Sequence, residues 1–106
     1  MIRHIVLTKF KPTVAEDTSA DIYNQLGTLI NQLSFAGGFT GGRSQSPEQI
    51  ERGYKHGFVV DFDSWDALQQ YTDHPEHKRL GSKLVDNAVG GINGILVLDL
   101  EVDTNV

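Results

Sequence analysis

The chain reads as a single α+β domain with a four-stranded antiparallel sheet, and three observations carry that reading. Ile2 to Phe10, His56 to Phe62 and Ile95 to Val102 alternate along the chain at a period of two, which predicts strands. Two intervening stretches change to helical spacing, one long and the other interrupted by a proline. The 106 residues suit one domain, 1–106, with one modest core.

In the first strand Ile5 and Leu7 point one way, and His4, Val6, Thr8 and Phe10 the other. Apolar residues on both faces predict burial on both sides, or one side against a partner subunit. Lys11-Pro12-Thr13 ends the strand, since proline donates no ladder hydrogen bond. From Ala15 to Leu33 the spacing of Ile22, Leu26, Leu29, Ile30 and Leu33 predicts a helix with one apolar stripe. Glu16, Asp17 and Asp21 lie near its start, where the helix dipole favours negative charge. Gly27 within it costs about 1 kcal/mol against alanine, which points to a close backbone contact.

The glycine pairs Gly37-Gly38 and Gly41-Gly42 fit neither a GxGxxG nor a Walker pattern, so they predict no phosphate loop. Phe39 to Gln45 is a weak strand candidate at a sheet edge. Ser46-Pro47-Glu48 opens a loop or short helical turn. His56, Phe58, Val60 and Phe62 then share one face of the next strand. Ser64 is a good N-cap, and Trp65, Leu68 and Tyr71 fall at three-residue spacing on a helix running to about Asp73. Pro75 suits the first position of a further helix capped near His74. His77, Leu80 and Leu84 align on that helix, with Gly81 leaving room beside them. This turns His77 inward near a positively polarised N-terminus, which favours a neutral imidazole able to accept a proton. Asn87 to Gly94 is a glycine-rich connection to the last strand, apolar on both faces. The order βαββαβ is the split-βαβ, ferredoxin-like arrangement, with helices on one sheet face. The other face needs a cover, and a second copy of the chain is the simplest, closing two sheets into a barrel.

Composition narrows the function classes. The net charge of −5 and pI near 5.1 argue against nucleic acid and anionic membranes as partners. The absence of cysteine removes disulfides, thiolate metal sites and cysteine nucleophiles, and fits a cytoplasmic protein. The apolar run Ile2 to Leu7 is too short for a signal peptide, and Arg3 and His4 break it. His4, His56 and His77 could in principle bind zinc, but no acidic or cysteine partner shares their blocks, so no metal is expected.

Four ordered blocks resemble one family. They are Met1-Ile2-Arg3-His4-Ile5-Val6-Leu7-Thr8-Lys9-Phe10-Lys11, Gly53-Tyr54-Lys55-His56, the Tyr71 to His77 stretch with its His-Pro-Glu-His, and Val97-Leu98-Asp99-Leu100-Glu101-Val102. Together they are similar to the Dabb family, the stress-responsive dimeric α/β-barrel proteins. The resemblance implies a homodimer whose sheets face each other, with a small, mostly apolar cavity between sheet and helices in each subunit. Many members have no assigned reaction. A plant member is a polyketide cyclase that works by aldol condensation without a cofactor. The resemblance gives the base of that reaction to His77 and a substrate-holding role to Tyr71. It also places the strand histidines His4 and His56 beside the cavity. The strand faces read above add Val6, Thr8, Phe58 and Val60 as candidate ligand contacts, and the helix face adds Leu80. Gly90 to Gly94 replaces an aromatic-bearing segment of the plant cyclase, and Thr8 an apolar lining residue, so polyketide specificity does not carry over.

The expected function is therefore a dimeric protein that binds a small, mostly apolar ligand without a cofactor. Two enzymatic alternatives stand beside it. One is a cyclase-like lyase with His77 as general base and Tyr71 as donor to a developing oxyanion. The other is a cofactor-free monooxygenase on a similar barrel.

Overall fold

Alternation at a period of two sorts the sheet residues of the computed structural model, which describes residues 1–103, into a helix-covered row and an open row. In β1 (Ile2–Thr8), Ile2, His4, Val6 and Thr8 are buried and their neighbours half-buried. In β3 (His56–Phe62), His56, Phe58, Val60 and Phe62 repeat the pattern. The two strands pair antiparallel, placing His4 opposite Val60 and Thr8 opposite His56. β2 (Ala36–Arg43) and β4 (Ile95–Glu101) flank them, giving the antiparallel order β2-β3-β1-β4. With the helices between them, the order is the ferredoxin-like βαββαβ arrangement.

The helices are α1 (Glu16–Asn31), α2 (Trp65–Asp73) and α3 (Pro75–Asn87). On α1 the predicted stripe is buried through Ile22, Leu26, Leu29 and Ile30; Leu33 lies past the helix end, packed against the core. Ser64 caps α2 by accepting the Ala67 N–H at 3.2 Å. α2 stops before Pro75, whose ring is incompatible with a continuing helix. His74 then caps α3, its Nδ1 accepting the Glu76 N–H at 3.0 Å. Two apolar clusters form the core. One gathers Ile2, Ile30, Phe62 and Tyr71, and the other Val6, Leu26, Phe58 and Leu80.

Three details differ from the sequence expectation. β2 begins at Ala36, three residues before the predicted start, and its pairing with β3 is irregular between Gly37 and Thr40. The Gly27 contact is with a side chain: a Cβ there would lie 3.2 Å from the Phe39 ring. Trp65 is half exposed although its helical spacing matches buried Tyr71.

The open face carries Ile5, Leu7 and Val59, extended by Leu96, Leu98 and Leu100 of β4. These three leucines are 46–54% exposed, with the Arg3–Asp61 ion pair (2.9 Å) beside them. The row is an exposed apolar strip on the sheet face away from the helices. No described helix is long and apolar enough to cross a membrane.

Candidate functional site

A cleft of about 740 Å³ lies between the helix-covered sheet face and α2–α3. Its size suits a small organic molecule. Val6, Leu26, Phe58, Leu84, Ile92 and Ile95 give it apolar walls, and His4, Asp99, Tyr71 and His77 supply polar groups. Gly81 lines it too, and no atom outside its own helix would meet a Cβ there within 4 Å, so the missing side chain leaves open space.

The helix break orients two of the polar groups. Tyr71 is on the last turn of α2 and His77 on the first turn of α3, with ring centres 4.4 Å apart. His77 Nδ1 lies 3.1 Å from the Thr72 carbonyl oxygen. That oxygen only accepts, so Nδ1 carries the hydrogen and the neutral ring keeps its lone pair on Nε2. Burial, first of all, and then the nearby His4, His74 and Lys78 hold the His77 pKa below its usual value, against the opposing pull of the Thr72 carbonyl. Burial drives the Tyr71 pKa strongly upward, keeping its hydroxyl protonated. Neither the Tyr71 hydroxyl nor His77 Nε2 has a hydrogen-bond partner among the described residues. One is a donor, the other an acceptor, and both line the same cleft.

A third polar element comes from the sheet. Register places Asp99 of β4 opposite His4 of β1, and His4 Nδ1 donates to Asp99 Oδ1 at 2.6 Å. The short distance is that of a strong, charge-assisted bond. The His4 ring also meets Tyr71 edge-on at 5.9 Å, so the pair stands directly behind the Tyr71–His77 pair. Asp99 was not among the sequence candidates. Its alternation placed it on the same face as Val97, but strand pairing alone joins it to His4.

Of the predicted site residues, Tyr71, His77, His4, Val6 and Phe58 line this cleft. Thr8, His56, Val60 and Leu80 lie outside its lining. Val60 and Leu80 are fully buried in the core. Thr8 shares a 2.9 Å hydrogen bond with Tyr23, whose pKa burial pushes up to about 12. His56 lies 3.1 Å from Glu16, at the far end of β3. The described histidines and acids form no cluster of three or more arranged to hold a metal ion.

The four-stranded ferredoxin-like architecture and the cleft between its sheet and paired helices define a class, the α/β-barrel proteins built on this sheet. Within it the chain belongs to the stress-responsive A/B barrel domain family, whose model matches residues 2–102. A stress-response A/B barrel domain-containing protein of Arabidopsis thaliana is 31% identical over 102 residues, spanning 94% of this chain and 85% of the relative. Olivetolic acid cyclase of Cannabis sativa is 26% identical over 80 residues, 76% of this chain and 79% of the cyclase. A dimeric ferredoxin-like protein of unknown function from Jannaschia sp. CCS1 superposes with a TM-score of 0.88 at 34% identity, covering 95% of this chain and 98% of that one.

Proposed function

We propose that the chain acts as a homodimer, each subunit taking a small, mostly apolar ligand with a polar end into the cleft between sheet and helices. The observation that carries this is the pair of unpartnered polar atoms, the Tyr71 hydroxyl and His77 Nε2, within apolar walls. A ligand carbonyl would accept from Tyr71, and an acidic hydrogen beside it would face His77. Few polar groups among apolar walls are the usual makeup of a small-molecule site. The exposed leucine row on the open sheet face, and the dimeric protein it resembles, support the assembly.

The same geometry favours a second, enzymatic reading: proton abstraction next to a carbonyl, with His77 as base and Tyr71 stabilising the enolate oxygen. A base of lowered pKa stays unprotonated at neutral pH, and a hydroxyl of raised pKa remains a donor. The similarity to olivetolic acid cyclase supports this chemistry.

Both readings are tested with small β-dicarbonyl compounds carrying an aliphatic or aromatic tail. Nuclear magnetic resonance titration should shift signals of Tyr71, His77 and Ile95, and Tyr71→Phe should weaken binding about tenfold. Compounds that leave those signals unmoved across the panel would sink the binding reading. Deuterium exchange at the carbon between the carbonyls reports the chemistry: His77→Ala should slow it by about 10²–10⁴-fold. Binding without His77-dependent exchange would leave a ligand carrier.

A further inference from the structure

A second cleft, of about 430 Å³, lies at the end of the sheet where β1 and β2 finish and β3 begins. Register puts Arg43, His56 and Thr8 on one rung across these strands, with Lys55 and Lys9 the next residues along the chain. The chain carries a net −5, yet four of its nine Lys and Arg residues, Lys9, Lys11, Arg43 and Lys55, line this space. Among the described residues, Glu16 is the one carboxylate in its wall.

Glu16 is already engaged by two groups. It pairs with Arg43 and takes the His56 ring at 3.1 Å, which together hold its pKa low, His56 contributing most. Two of the lysines next to it meet uncharged partners. Lys9 Nζ stands 4.7 Å over the Tyr54 ring, and Lys11 Nζ donates to the Asp86 carbonyl at 3.0 Å. Lys55 is within electrostatic reach of Glu51, whose carboxylate accepts the Ser44 hydroxyl at 2.6 Å. The positive charge is thus gathered but incompletely neutralised.

The backbone beneath it is fixed. Lys9 donates its N–H to the Gly94 carbonyl and accepts from Val89, and the Lys11 N–H bonds the Asn87 carbonyl. Beside the cations lies an apolar wall of Phe10, Val14 and Val89, the Phe10 ring standing edge-on to His56 at 5.0 Å. Flexible lysine ammonium groups suit a multiply charged oxyanion, which accepts from several donors at once. The apolar wall suits an organic group attached to it.

We propose that this cleft binds the phosphate group of a small organic phosphate, with Lys9, Lys11 and Lys55 on the oxyanion and Phe10 and Val14 against its organic part. The site is separate from the Tyr71–His77 cleft and does not depend on what that cleft binds. Calorimetric titration at low ionic strength with inorganic phosphate and with phenyl phosphate tests it on the full chain. Both probes should bind, and phenyl phosphate more tightly. Lys55→Gln and Lys9→Gln should each weaken binding about tenfold, while Lys83→Gln, which removes one positive charge on α3, should not. Melting curves check that each variant stays folded. Equal affinity for the two probes would support a free-phosphate source at the same cations. No binding by the unaltered chain, or binding that both lysine variants leave unchanged, would overturn the proposal.

Discussion

Burial moves the protons of Tyr71 and His77 in opposite directions, and this has consequences that solution measurements can read. The His77 pKa lies below its usual 6.5 in the folded chain, chiefly because burial disfavours the charged ring. Below pH 6.5 the unfolded chain therefore binds the extra proton first. Stability should fall as pH drops from about 6.5 towards the folded value, and recover as pH rises. Denaturant midpoints at pH 5 and 7.5 check this: the pH sensitivity should shrink in His77→Gln. By the same sign, the low-pH limb of any His77-dependent exchange should lie below the value for free histidine. Asp99 is the other residue with a testable role. Replacing it by asparagine removes the charge from a 2.6 Å bond to a nearly buried imidazole. Asp99→Asn should cost about 1–3 kcal/mol of stability, measured by urea unfolding, and weaken ligand binding in the cleft.

At the scale of elements, local signals and long-range pairing separate clearly. Ser64→Ala removes the hydroxyl that accepts the Ala67 N–H and should cost about 1 kcal/mol, read from the thermal midpoint. Gly94→Ala should cost more, about 1–3 kcal/mol, because its Cβ would lie 2.4 Å from the Val89 carbonyl oxygen inside a packed turn. The α2–α3 break was legible because Ser64, His74 and Pro75 act on their own neighbours. β1 and β3 were legible because one buried face imposes an alternation. β2 was legible only as a weak edge strand, its start placed three residues late, since Gly37, Gly38, Gly41 and Gly42 carry no side chain to alternate. Gly41 is required by something remote in sequence: a Cβ there would meet the Phe58 Cβ at 2.8 Å. The site divides in the same way. Tyr71 and His77 are six residues apart, and the local break at His74-Pro75, legible in the sequence, brings the end of α2 and the start of α3 together. His4 and Asp99 are joined only through strand register, and His56 is drawn towards Glu16 by the packing of α1. A pattern read one segment at a time contains neither pairing.

For the whole molecule, the uncovered leucines of β4 give the clearest prediction. Leu98 is 54% exposed at the centre of the open row, opposite Ile5. Sedimentation should show the unaltered chain as a dimer at micromolar concentration and Leu98→Glu shifted towards monomer. A stable monomer for the unaltered chain would remove the barrel from the proposed function. The alternation of β4 also constrains the register of the site. Leu96, Leu98 and Leu100 face outward, while Val97 and Asp99 face the cleft. Adding or deleting one residue ahead of Leu96 would exchange the two rows, exposing the acid on the apolar face and carrying a leucine to His4. Any requirement for the apolar outer row therefore also fixes the register of the acid on the opposite side. The alignment of Asp99 with His4 thus depends on leucines that face away from the cleft.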